Sequence, residues 1–164
     1  MTGQTPENPE TAPDDEAPAI EVQYAVAGDG LPSPDAIRRW VNHALQGGED
    51  AAELVVRIVD EAEMTALNQR YRGKSGVTNV LSFPYDPLPG VSSGLLGDVV
   101  VCAPVVAEEA VRQGKSLDAH WAHLVMHGVL HLLGHDHHHD PDAYRMETLE
   151  TQLLAGLGFA DPYN

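Results

Sequence analysis

Cysteine is almost absent from this chain. Cys102 is the only one in 164 residues, so no internal disulfide can form and nothing calls for an oxidising compartment. Its place at the end of the run Gly97-Asp98-Val99-Val100-Val101-Cys102 reads as a buried, inert thiol. Long apolar runs are missing as well, since none approaches the roughly 20 residues that span a bilayer. No basic segment followed by an apolar run opens the chain, so no secretory signal is expected and a cytoplasmic address follows. Basic residues are few: 9 Lys and Arg stand against 25 Asp and Glu, a formal charge of −16. That excludes the broadly cationic surface on which non-specific nucleic-acid binding depends. The shortage is uneven, however. Eight acidic residues precede the first basic one, Arg38, and three of the nine cations stand together at Arg70, Arg72 and Lys74. A locally basic patch on an acidic protein can still hold phosphates, with less long-range steering.

What is present in excess is histidine. Eight of the nine fall between His120 and His139. His123, His127 and His131 recur every four residues within an apolar run, which on a helix stacks their rings on one face. Gly134 follows, a residue that tolerates positive φ and ends helices. The chain can turn there and return His135 or His137 toward the same point. One buried histidine is usually a core residue with a hydrogen bond. Several buried together are costly unless they share a ligand, and three imidazoles with an open fourth position form a catalytic zinc pattern. Spacing alone leaves open which three bind. His123 sits deeper in the helix and is expected against the sheet, whereas a residue three beyond the glycine has the slack to fold back. Asp136 and His135 are candidates for orienting the ligands. In zincin metallopeptidases a glutamate follows the first histidine and acts as the base; here that position is Gly128.

The remaining pattern is that of a single domain. Residues 1–18 are rich in Pro, Thr, Glu and Asp and read as a disordered acidic tail, leaving 19–164 to fold. Strands are expected over Ile20–Ala27, Glu53–Val59, Asn79–Phe83 and Leu95–Cys102, the last central because it is apolar almost throughout. Ser33, Asp60 and Ser116 are expected to cap helices over 34–46, 61–71 and 117–134. Further helices are expected over 103–114 and 142–156, the last with Met146, Leu149, Leu153 and Leu154 inward. The order predicts an α+β fold: a small mixed sheet of about four strands packed against helices, with the histidine helix central.

The cations belong to a second constellation, Leu67-Asn68-Gln69-Arg70-Tyr71-Arg72-Gly73-Lys74 followed by Thr78-Asn79-Val80-Leu81-Ser82-Phe83-Pro84. Alone it reads as a solvated helix end; beside a metal site it reads as phosphate recognition.

Together the two stretches resemble the YbeY family of bacterial rRNA maturation factors, zinc-dependent single-strand endoribonucleases. The family signature His-Gly-x-Leu-His-Leu-x-Gly-[His/Tyr]-Asp-His stands here without mismatch from His127 to His137. The block Leu-Asn-x-x-Tyr-Arg-x-Lys and Thr-[Asp/Asn]-Val-Leu-Ser-Phe-Pro matches Leu67 to Pro84. The resemblance implies one zinc ion per chain on His127, His131 and His137, with Arg72 as a functional arginine. Arg70 and Lys74 are candidate RNA contacts. It further implies trimming of 16S rRNA at its 3′ end and ribosome quality control, with rRNA and small-subunit components as partners. Two other readings stand beside it: an assembly factor whose zinc is structural, and a zinc hydrolase of another ester or amide.

Overall fold

The computed structural model describes residues 19–46, 52–85, 95–135 and 140–163. The expected tail over 1–18 lies outside them, as do Asp136 and His137. Nine elements follow in the order β1 (Ala19–Tyr24), α1 (Pro34–Leu45), β2 (Glu53–Val59), α2 (Glu61–Arg72), β3 (Val80–Pro84), β4 (Leu95–Cys102), α3 (Ala103–Gln113), α4 (Leu117–Leu132) and α5 (Asp140–Gly156). The three expected caps are in place. Ser33 Oγ accepts from Ala36 N–H at 3.1 Å, Asp60 Oδ1 from Glu63 N–H at 2.9 Å, and Ser116 Oγ from Ala119 N–H at 3.1 Å. Each satisfies a donor that the first helical turn leaves without a partner. Helix α1 closes earlier than its Gly47-Gly48 suggested, because Gln46 itself takes the left-handed cap at φ 55°.

The four strands form one mixed sheet in the order β1-β2-β4-β3. β1, β2 and β4 run parallel, and β3 joins the edge antiparallel to β4, pairing Ser82 with Val99 and Leu81 with Val100. This is the expected α+β architecture with β4 inside the sheet. Because side chains alternate along a strand, β4 serves two cores. Val99 and Val101 face a large core that also takes Ile37, Trp40 and Val41 from α1, Trp121, Val125 and Val129 from α4, and Met146 and Leu154 from α5. Val100 and Cys102 face a small one with Met64 of α2, Leu81 and Val105. Cys102 is fully buried there, and burial pushes its thiol above the ordinary range, as an inert cysteine requires.

Helix α4 is buried nearly all round, as its apolar sequence demands. It lies across the sheet so closely that Gly128 meets β4 without room for a side chain: a Cβ there would stand 2.5 Å from Val99 Cγ1. Ser82 Oγ donates to the Gly128 carbonyl at 2.9 Å, fastening β3 to the same turn. The position after the first histidine is therefore a contact point between helix and sheet, and the glutamate of a zincin has no space at it. No described helix is long and apolar enough to cross a membrane.

Candidate metal centre

α4 presents its histidines in a row. Ring centroids of His123 and His127 lie 6.2 Å apart and those of His127 and His131 4.7 Å apart. Nε2 of His127 and Nε2 of His131 approach to 3.2 Å. Two nitrogens on one tetrahedral zinc, each about 2.0–2.1 Å from the metal, stand about 3.3 Å apart. The pair thus fits a shared metal ion in both donor type and spacing. The helix ends just beyond, at Leu132, and Gly134 turns the chain at φ 101°. A residue with a Cβ resists that conformation, so the glycine ends the helix as expected, and the path of the chain beyond His135 lies outside the described residues. His135 is half-buried and its N–H donates to Leu130 O at 3.0 Å. His137, the third expected ligand, lies outside the described residues.

The other side of His127 is occupied by a residue that the sequence reading missed. Glu150 of α5 is 1% exposed, and its Oε2 accepts from His127 Nδ1 at 2.6 Å. Its Oε1 accepts from His123 Nε2 at 2.7 Å and from the Tyr163 hydroxyl. His123 therefore faces α5 and the C-terminal segment, not the sheet as its depth in the helix suggested. The reason is that Gly128 and the valines take the sheet-facing side of α4, leaving His123 and one side of His127 to α5. Burial pushes the Glu150 carboxyl up, but the hydrogen bonds from His123 and His127 outweigh it and bring its pKa down to about 2. Burial, with the bond to Glu150, raises the Tyr163 phenol well above its ordinary range. A signal for Glu150 was available: it stands four residues after Met146 and three before Leu153, an acid on the inward stripe of an amphipathic helix.

His123, His127 and Glu150 form a group whose ligand atoms all lie within 4.8 Å and which could hold a metal ion. The two geometries differ in access. The Glu150 side is closed, whereas His127 and His131 line an open pocket of about 390 Å³ together with Arg72, Thr78, Asn79, Val80, Leu81, Ser82 and Pro84.

Arg72 arrives at that pocket from the last turn of α2. Gly73 ends the helix in the left-handed conformation, and the buried Asn68 donates to Gly76 O at 3.0 Å, closing the loop that carries Thr78 and Asn79 to the pocket wall. Asn79 is held from behind: its amide donates to Glu109 at 3.1 Å, and Glu109 also bonds the buried His120 at 2.8 Å. Of the cation cluster, Arg72 alone lines the pocket. Arg70 lies over the Tyr71 ring, 5.5 Å from its centroid, and Lys74 is exposed beyond the helix end. Among the described lining residues there is no carboxylate.

The sequence model of the family described as Endoribonuclease YbeY matches residues 30–158. The chain belongs to the YbeY endoribonuclease family. The matched span holds α2, β3 and the whole of α4, so the arginine loop and the histidine helix lie inside it. A protein of Thermotoga maritima solved in solution is similar in fold, with a TM-score of 0.54 at 22% identity over 87% of this chain and 99% of that one. Membership in the YbeY family places the chain among hydrolases that act on RNA.

Proposed function

We propose that this YbeY-family chain is a zinc-dependent, single-strand-specific endoribonuclease. In this reading it works in the cytoplasm on the 3′ end of 16S rRNA and in ribosome quality control, with rRNA and small-subunit components as partners. The observation that carries the proposal is one open pocket lined by both convergent histidines and by Arg72. His127, His131 and His137 would hold the metal. Bound zinc supplies Lewis-acid charge to a phosphoryl oxygen and acidifies a water molecule. Arg72 offers a planar fork of donors to the phosphate and stabilises the charge that develops there. Ser82, tied to Gly128, and Asn79, tied to Glu109, fix the wall opposite α4. A single strand suits an open pocket whose only described cation is Arg72, because a flexible backbone can bring one phosphate in without a wide basic surface.

The test pairs metal content with cleavage of a single-stranded rRNA fragment. Wild type is expected to carry one zinc per chain and to cut. His131→Ala should lose both, whereas Arg72→Ala should keep the zinc and lose cleavage by about 100-fold or more, the scale of a lost charge-stabilising donor. Cleavage unchanged in Arg72→Ala removes the arginine from the mechanism. The group His123, His127 and Glu150 favours a second reading, a structural zinc in an assembly factor. Zinc retained by His131→Ala, with the wild type inert toward RNA, would establish it.

A further inference from the structure

We infer that Glu150 is the positioning residue of the metal centre, and that Tyr163 makes the docked C-terminal segment part of that centre's affinity for metal. The inference rests on the reading of His127 as a ligand through Nε2. A carboxylate 1% exposed on the inward face of a helix is expensive to bury, and a leucine would serve the packing of Met146, Leu153 and Leu154 better. It is tolerated because each oxygen is engaged: Oε2 by His127, Oε1 by His123 and Tyr163.

The consequence falls on His127. Glu150 Oε2 lies 2.6 Å from His127 Nδ1 while Oε1 accepts from Tyr163, a geometry that places the His127 proton on Nδ1. Its lone pair is then left on Nε2, the nitrogen that faces His131 and the pocket. Turning the ring would break the 2.6 Å bond to Glu150. Tautomer and ring orientation are thus set before any metal arrives, which is the work a carboxylate does behind a metal-bound imidazole.

Tyr163 closes the arrangement from outside. Beyond α5 the chain runs back along the helix. Phe159 N–H donates to Leu154 O at 2.9 Å, and the Asp161 carboxylate accepts from Tyr163 N–H at 2.8 Å and from Thr151 Oγ1 at 3.3 Å. These bonds set the Tyr163 ring edge-on to His123, with centroids 5.5 Å apart, and its hydroxyl on Glu150. Release of this segment would expose Glu150 to water and loosen its hold on His127.

The experiment uses the full chain, stripped of metal. Zinc affinity is measured by competition with a chromogenic chelator, and the His127 tautomer by ring-nitrogen NMR, for wild type, Glu150→Gln and Tyr163→Phe. In the metal-free wild type the proton is expected on Nδ1. Glu150→Gln should weaken zinc binding by about 10- to 100-fold and mix the tautomers. Tyr163→Phe, which removes one hydroxyl and no packing volume, should weaken it in the same direction by less. It carries the test should Glu150→Gln fail to fold. A wild-type His127 protonated on Nε2, or zinc affinities within twofold of wild type in both variants, would overturn the inference alone. Zinc that binds the wild type without shifting the His127 ring nitrogens overturns the ligand assignment, and the inference with it.

Discussion

Replacing Gly128 by alanine tests how the histidine helix is seated. In most helix interiors this exchange stabilises, because alanine exceeds glycine in helix propensity by about 1 kcal/mol. Here the added Cβ would meet Val99 Cγ1 at 2.5 Å, Val99 Cγ2 at 3.2 Å and Ser82 Oγ at 3.3 Å. Carbon atoms in contact prefer about 3.5–4.0 Å, so α4 and β4 must separate locally by about 1 Å or Val99 must leave its rotamer. Val99 is 0% exposed and set in the large core, so it has no open space to turn into. Overpacking of this kind costs about 1–3 kcal/mol. Less the propensity gain, the net loss is at most about 2 kcal/mol, or up to roughly 8 °C in melting temperature for a domain of this size.

The assay is urea unfolding of metal-free protein, in a double-mutant cycle with Val99→Ala. Removing both Val99 methyls clears the contact, so Gly128→Ala should be neutral or stabilising in that background. The resulting coupling is of order 1–3 kcal/mol. Destabilisation of equal size in both backgrounds would refute the steric argument, and equal stabilisation in both would refute the close seating of α4 altogether. The same contact reaches the chemistry. His127 precedes Gly128, so a helix lifted from β4 also moves the histidine pair relative to Ser82 and the pocket wall. Gly128→Ala should therefore weaken zinc binding even where it remains folded at room temperature.

Other consequences follow from the same geometry. Trp121 of α4, 1% exposed in the large core, should cost about 3–5 kcal/mol when truncated to alanine, read as an earlier urea midpoint; a loss under 1 kcal/mol would mean that the large core does not depend on it. Burial holds the His120 imidazole below its ordinary value of 6.5 despite the bond to Glu109. The unfolded chain then binds the extra proton first, so stability should be full above pH 6.5 and fall as pH drops below it. The difference between metal-free wild type and His120→Gln should shrink from pH 7.5 to 5.5; a difference that grows would reverse the sign. Arg70→Ala and Lys74→Ala, at positions outside the pocket, should each reduce cleavage far less than Arg72→Ala, measured on the same RNA fragment.

The sequence was legible wherever one residue type forces one local outcome. Ser33, Asp60 and Ser116 cap helices because their side chains satisfy backbone donors within three residues. The Leu95–Cys102 run lies inside the sheet because, Asp98 apart, its side chains are apolar on both faces. The spacing of His127 and His131 placed two nitrogens together for the same reason, since one helical turn separates them. Contacts between distant elements were not legible in this way. Arg70, Arg72 and Lys74 stand two apart, and nothing local says that only Arg72 reaches the pocket. That follows from where α2 ends and from Asn68 tying down Gly76, a loop closure visible only in three dimensions.

Glu150 is the instructive intermediate. Its imidazole partners lie 23 and 27 residues back in the chain, so no short motif contains them. Yet its position on the inward stripe of α5 already posed a physical question, because an acid there must either ruin the helix's packing or be matched by buried donors. A chain that places imidazoles every four residues along a buried helix, and has few cations to spare, has one kind of donor to offer in number. The joint reading of the two helices, an acid on one inward face and a histidine ladder on the other, leads to a carboxylate–imidazole contact from composition and periodicity, and to α5 rather than the sheet as the neighbour of His123.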